Sequence, residues 1–254
     1  HNITALLNLL GNPQNTFQSF HIAGSNGKGS TAAYLASILM TAGFKTGLYT
    51  SPHFVRFSER IRIDGKMIPV DYIDQFTKDH YDYILQNSMT FFEVTTALAF
   101  QYYADQKVDY AVIETGLGGR LDATVLIHPV ASIITTISLE HTNILGNTIR
   151  EIASEKGGII KQGSRVFLGF VPDAAKHVLT EIAREKNCEI FALEDFSSVR
   201  GNNFELFTKK LYISDVNSPL KGQYQKANAA LAMLTAAHTL DITDTRILES
   251  GVRN

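Results

Sequence analysis

The stretch richest in chemistry is Gly24-Ser25-Asn26-Gly27-Lys28-Gly29-Ser30-Thr31, a glycine loop around one lysine. Phosphate is the group such a loop suits. Glycines let the main chain adopt positive φ and approach anionic oxygens, a helix N-terminus offers bare N–H groups, and Lys28 adds a mobile point charge. The run Phe20-His21-Ile22-Ala23 precedes the loop and a helical pattern over residues 30–42 follows it, so the strand–loop–helix context is present. The spacing is not that of the general P-loop: its first glycine and its post-lysine hydroxyl fall on Ile22 and Gly29. The first hydroxyls available to Mg²⁺ are therefore Ser30 and Thr31.

A second chemical turn follows Glu114, which closes the largely apolar run Val108-Asp109-Tyr110-Ala111-Val112-Ile113. A carboxylate at a strand end can bind Mg²⁺ directly or through water; a solvated charge is the simpler alternative. The glycines Gly116, Gly118 and Gly119 do not make a dinucleotide fingerprint, because Leu121 stands at its third glycine position. His141 is, on its own, a lone histidine, and Lys156 a cation near a helix C-terminus, where positive charge is favourable.

Positioning these residues falls to alternating elements. Short β-type runs at 19–23, 46–50, 108–114, 130–137, 165–169 and 189–193 alternate with helical patterns at 30–42, 71–86, 90–105, 149–156, 172–186 and 226–239. This rhythm predicts an α/β fold with a mostly parallel sheet flanked by helices. The continuous apolar character of the runs fits strands buried on both faces. Thr148 with Glu151 forms a capping-box signature, and Pro172 suits a helix's first turn. Residues 203–216 break the rhythm: Phe204, Leu206, Leu211 and Ile213 predict a small antiparallel hairpin with Lys209-Lys210 near its turn. In open parallel sheets ligands gather beyond the carboxyl ends of strands. The 24–31 loop, Ser51, Glu114 and His141 all fall there, so the strand order must bring those ends together.

Five segments in order carry a family resemblance: the glycine loop; Tyr49-Thr50-Ser51-Pro52-His53; Phe91-Phe92-Glu93-Val94-Thr95-Thr96-Ala97; Glu114-Thr115-Gly116-Leu117-Gly118-Gly119-Arg120-Leu121-Asp122-Ala123-Thr124; and residues 141–161. Together they resemble the Mur ligase superfamily, specifically the folate branch comprising folylpolyglutamate synthase and dihydrofolate synthase. The resemblance implies a P-loop-type ATPase domain. It implies an ATP-dependent ligase that joins L-glutamate to the carboxyl group of folate or dihydropteroate through an acyl phosphate, with ATP and Mg²⁺ required. By the same resemblance Lys28, Glu114, His141 and Lys156 are catalytic. Ser25, Asn26, Gly27, Lys28, Gly29, Ser30, Thr31 and Asn228 bind nucleotide. Ser30, Ser51, Glu114, His141 and Lys156 hold metal, Lys156 as a carbamate. Arg60, Thr90, Phe92, Asp122 and Ala123 contact the pterin substrate. Phe92 also reads as a core aromatic, and Asn228 as an unremarkable helix polar. Glu140 stands where the branch carries Asp, and Val125 where it carries Asn.

Alternatives stay open: a peptidoglycan-type Mur ligase, disfavoured by Gly29 and Asp122-Ala123-Thr124, or an ATP-binding fragment unable to ligate. A GTP switch would need a guanine-reading Asn-Lys-x-Asp, which the sequence lacks. The chain begins at His1 and stops at Arg253-Asn254, so residues 1–254 are expected to be one central ATP-binding domain without the branch's C-terminal Rossmann-like domain. At 254 residues, 44% hydrophobic and 19% charged, the composition is that of an ordinary globular domain. A net charge of −2 offers no electrostatic case for nucleic acid or an acidic membrane. No apolar run is long enough to span a bilayer. The lone Cys188 reads as a structural thiol, and a cytoplasmic monomer is expected.

Overall fold

The computed structural model describes residues 2–253; His1 and Asn254, the ends of the expected 1–254 domain, lie outside the described residues. In chain order the elements are α1 (Asn2–Leu9), β1 (Gln18–Ala23), α2 (Lys28–Thr41), β2 (Thr46–Tyr49), β3 (Ile61–Ile63), β4 (Lys66–Met67), α3 (Val70–Gln86), α4 (Phe91–Asp105), β5 (Tyr110–Glu114) and β6 (Ala131–Ile134). There follow α5 (Thr142–Leu145), α6 (Ile149–Gly157), β7 (Arg165–Leu168), α7 (Asp173–Glu185), β8 (Ile190–Ala192), β9 (Ser197–Arg200), β10 (Asn203–Phe207), β11 (Tyr212–Ile213), α8 (Gln223–Leu240) and α9 (Thr245–Arg253).

Eight strands form one sheet in the order β4-β3-β2-β5-β1-β6-β7-β8. The six from β2 to β8 pair in parallel, as the alternating pattern predicts. At the β2 edge, β3 and β4 add antiparallel pairs that the sequence pattern does not announce, being only a few residues long. Successive residues face opposite sides of the sheet. Phe20, Ile22, Val112 and Ile133 therefore join the apolar layer under α2, α8 and α9. Ala111 and Ile113 join the layer under α1, α3 and α4, and Ile134, Val166 and Leu168 that under α6 and α7. His21, between Phe20 and Ile22, is thereby turned to the face away from α2 and fully buried.

The expected hairpin is present as β10 and β11, with Lys209 and Lys210 in its turn, and β9 adds a third antiparallel strand. The predicted strand at 130–137 is shorter, ending at Ile134. The reason is local: beyond it, Thr135, Thr136 and Ser138 turn their backbone and hydroxyl groups toward the glycine loop. Thr148 and Glu151 form the predicted capping box at α6.

Candidate active site

β2, β5, β1 and β6 are consecutive neighbours in the sheet, so the segments following their carboxyl ends lie side by side. Between β1 and α2 the chain turns through Gly27 at φ 82°, a left-handed conformation that costs glycine nothing. A Cβ at Gly27 would also lie 2.5 Å from Asn228 Oδ1, so the close approach of α8 to the loop needs glycine there. The loop is tied to the segment after β6. Ser25 N–H donates to Thr136 O at 2.8 Å, Asn26 N–H donates to Thr136 Oγ1 at 3.0 Å, and Thr135 Oγ1 donates to Asn26 O at 2.6 Å. These bonds leave the N–H groups in the first turn of α2 pointing out of the helix without intrahelical acceptors.

Two ammonium groups meet at one carbonyl oxygen of this loop. Lys28 Nζ donates to Gly24 O at 2.9 Å, and Lys156 Nζ donates to the same oxygen at 3.1 Å. Lys156 is only 2% exposed and is also held by Glu140 Oε1 at 2.7 Å. Burial pushes its pKa down, and the Glu140 carboxylate works against that. Glu140, in place of the branch's aspartate, thus reaches Lys156 directly.

Glu114 ends β5 with 4% exposure, and its Oε2 accepts the Ser51 N–H at 3.0 Å. Burial dominates its titration and raises its pKa to about 7, against the pull of the Ser51 N–H, Lys28 and Arg60 and with the push of Asp122. A Cβ on Gly29 would stand 3.6 Å from Glu114 Oε2, so the loop backbone comes within contact distance of the carboxylate. Glu114, Ser30 and Ser51 supply oxygen donors only, the set a hard cation such as Mg²⁺ prefers. A cation there would restore the charged carboxylate that burial disfavours.

His141 follows Glu140 directly in the chain. It is exposed, adopts φ 43° at the start of α5, and its side chain makes no hydrogen bond or ion pair among the described residues. Among the described residues no three His, Cys, Asp or Glu side chains are grouped as a ready metal cage. The set expected from the resemblance contains only two such residues, Glu114 and His141, besides Lys156 and hydroxyls.

Four of the five predicted pterin-contacting residues, Thr90, Phe92, Asp122 and Ala123, line one cavity of about 550 Å³, together with Arg120 and Glu155. Thr90 caps α4 through a reciprocal pair with Glu93. The Phe92 ring lies over Gly116, where a Cβ would approach it to 2.6 Å. Asp122 is buried, with both carboxylate oxygens occupied by the protein. Oδ2 accepts the Gly116 and Leu117 N–H groups, and Oδ1 accepts the N–H and hydroxyl of Thr124. The fifth, Arg60, is outside this wall: it is buried, donates to His53 Nδ1 at 2.8 Å, and has its guanidinium 5.4 Å from the Phe91 ring centre.

Asn228 lines a separate cavity of about 380 Å³ beside the loop, with Asn26, Gly27, Ser30, Thr136, Tyr224 and Gln225. Tyr224, Thr136, Arg120 and Glu155 line these two cavities and are absent from the sequence-predicted set. Arg120 and Glu155 lie within the segments that carry the family resemblance, but nothing in those segments singles them out, and Thr136 carries no pattern of its own. Tyr224 falls inside Gly222-Gln223-Tyr224-Gln225-Lys226-Ala227-Asn228, which resembles the folate branch's Gly-x-x-Gln-x-x-Asn segment that ends on the predicted Asn228.

Residues 22–236 match the Mur ligase middle domain. The chain is 38% identical over 248 residues to the dihydrofolate synthase/folylpolyglutamate synthase of Bacillus subtilis, covering 91% of this chain and 57% of the relative. It is 40% identical over 248 residues to the folylpolyglutamate synthase of Lacticaseibacillus casei, covering 92% and 58%. Among solved structures, an FPGS–AMPPCP–folate complex superposes with a TM-score of 0.91 at 35% identity, covering all of this chain and 66% of that one. The folylpolyglutamate synthase of Thermotoga maritima gives a TM-score of 0.91 at 33% identity, covering 100% and 61%. The chain spans less than three fifths of the length of those two curated relatives.

Proposed function

This chain belongs to the Mur ligase family, and on that premise we propose that it is the ATP-binding part of a ligase that joins L-glutamate to the carboxyl group of folate or dihydropteroate. The observation that carries the reading is the meeting of Lys28 and Lys156 at Gly24 O, beside the open first turn of α2 and the Glu114 carboxyl. The Lys28 cation and a helix N-terminus make a site for a polyphosphate. A neighbouring carboxyl with oxygen-donor companions suits the accompanying Mg²⁺. Relatives solved with AMPPCP and with folate support the same assignment.

In the proposed reaction the loop N–H groups and Lys28 hold the γ-phosphoryl group and balance the charge that spreads over it during transfer. Glu114, Ser30 and Ser51 would hold Mg²⁺, with His141 and a carbamate on Lys156 completing a second site. The metal's contribution is to template nucleotide and acyl group and to neutralise charge. Asn228, Tyr224 and Gln225 wall the nucleotide side. Thr90, Phe92 and Ala123 wall the 550 Å³ cavity, with the aromatic face of Phe92 offered to a flat ring. Phosphorylation of the substrate carboxyl yields an acyl phosphate. The glutamate amine attacks its carbonyl, forming the amide and releasing phosphate. Residues 1–254 form one domain in this proposal, acting in the cytoplasm.

The test is Lys28→Ala in the full-length enzyme, supplied with Mg-ATP, L-glutamate and either folate or dihydropteroate. We expect kcat to fall roughly a thousandfold, the loss of about 4 kcal/mol of transition-state stabilisation, with an unchanged melting temperature. Near-normal turnover would remove the phosphate-loop assignment.

A further inference from the structure

His21 lies inside β1, on the strand that leads to the glycine loop, and is completely buried. Its Nε2 lies 2.8 Å from Thr124 Oγ1, more than a hundred residues away in sequence. Thr124 Oγ1 is in turn 2.5 Å from Asp122 Oδ1. A hydroxyl has one proton to give. Asp122 receives four donors, two on each oxygen, and so acts only as an acceptor. The Thr124 proton therefore points to Asp122, and the bond from His21 must come from a protonated Nε2. Nδ1 is then the bare nitrogen, and it is buried without a partner among the described residues. Burial and the Lys161 charge hold the ring neutral, its pKa lowered to about 3, consistent with one N–H per imidazole. A buried polar atom left unpaired carries a cost that a purely structural apolar residue would avoid.

The chain of bonds ends at the turn after Glu114. Asp122 Oδ2 takes the Gly116 and Leu117 N–H groups, both at 2.9 Å, and so fixes the first two residues of the glycine segment. That segment, residues 116–119, carries Leu117, Gly118 and Gly119 in the wall of the 550 Å³ cavity. Gly116 also lies against the Phe92 ring on the same wall. We propose that His21 is a positioning residue for the acyl-substrate cavity, setting the residues 116–119 turn from the sheet interior through Thr124 and Asp122. The role of Asp122 follows: its carboxylate shapes the cavity wall, while the neighbouring Ala123 supplies surface. The acyl substrate of this cavity rests on the ligase reading; the relay itself does not.

The experiment has two arms on the full-length protein. His21→Leu keeps volume and removes the N–H donor, and His21→Gln returns an amide N–H near the Nε2 position. By hydrogen–deuterium exchange the Gly116 and Leu117 amides should open at least tenfold faster in His21→Leu, with Val112 in β5 unchanged. In kinetics the KM for whichever of folate or dihydropteroate the wild type accepts should rise about tenfold. The KM for ATP should stay within twofold, and His21→Gln should recover most of both effects. If His21→Leu does not fold, Thr124→Val and Thr124→Ser take the places of the disrupting and rescuing variants. Unchanged exchange at residues 116 and 117 in a folded disrupting variant overturns the proposal, as does loss of stability with KM values unmoved. A wild type that ligates neither substrate counts against the ligase reading alone, because the exchange arm still decides the relay.

Discussion

Replacing Glu114 by glutamine should make the metal-free protein more stable at alkaline pH while removing activity. Glu114 is almost fully buried, and its pKa moves from 4.5 to about 7 because burial outweighs the Ser51 N–H and the Lys28 and Arg60 charges. A raised acid pKa means the folded state binds a proton that the unfolded chain has already released. The stabilising contribution is therefore full below pH 4.5 and lost as pH rises through about 7. At roughly 1.4 kcal/mol per unit, the carboxylate costs the metal-free fold about 3 kcal/mol at pH 8. Glutamine has nearly the same volume, keeps an oxygen to accept the Ser51 N–H, and does not ionise.

The assay is urea unfolding in EDTA at pH 4.5 and pH 8. Glu114→Gln should match the wild type at the lower pH and exceed it by about 3 kcal/mol at the higher, less whatever Lys28 and Arg60 lose by facing a neutral group. Adding Mg-ATP should reverse the order, since the wild-type carboxylate gains a cation partner and the amide does not. A variant no more stable than the wild type at pH 8 in EDTA would refute the reasoning. It would mean that the neighbouring N–H and cations already satisfy the charge.

Gly169→Ala should lower the melting temperature, since its Cβ would stand 2.1 Å from the Thr135 carbonyl oxygen in the segment that braces the glycine loop; the expected loss of about 1–3 kcal/mol is read by calorimetry, and an unshifted transition would show that the segment yields. Lys156 should take up labelled bicarbonate as a carbamate, seen by ¹³C NMR, when Mg-ATP is present and little without it, because an anion beside Glu140 at the present ammonium position needs added positive charge; no signal under either condition would remove Lys156 from the metal set.

Much of the frame was legible because burial leaves a periodic trace. The six parallel strands were readable as apolar runs, and the loop that follows β1 carries its own glycine signature. Thr148 and Glu151 announced the start of α6. What stayed hidden was set by pairing rather than by pattern. β3 and β4 are three- and two-residue strands stabilised by an existing edge, too short to show alternation. His21 looked like one more residue of a buried strand, because its partner Thr124 is brought to it only by the β1–β5 neighbourhood and the turn after β5. Asp122 was assigned to substrate by resemblance. That its oxygens are consumed by four protein donors is a property of turn geometry that no spacing reveals.

Lys156 makes the sharpest contrast between the two kinds of information. By sequence it is a cation near the end of α6, where the helix dipole favours it on the surface. In the fold it is one of the most deeply buried large side chains, with its ammonium divided between Glu140 and Gly24 O. A lysine buried so far from water is expensive unless its charge is paired or removed. Glu140 supplies the pairing, its carboxylate 2.7 Å from the ammonium. The same contact restrains the chemistry proposed for the lysine, because a carbamate would put a second anion beside Glu140. Charge balance at this end of the sheet thus links three groups that the sequence leaves unrelated. On the proposed reading, a cation would take the place of Lys156 beside Glu140, and Lys28, on the same carbonyl oxygen, would be drawn to an arriving phosphate. Nucleotide and metal binding would therefore rearrange both lysines together.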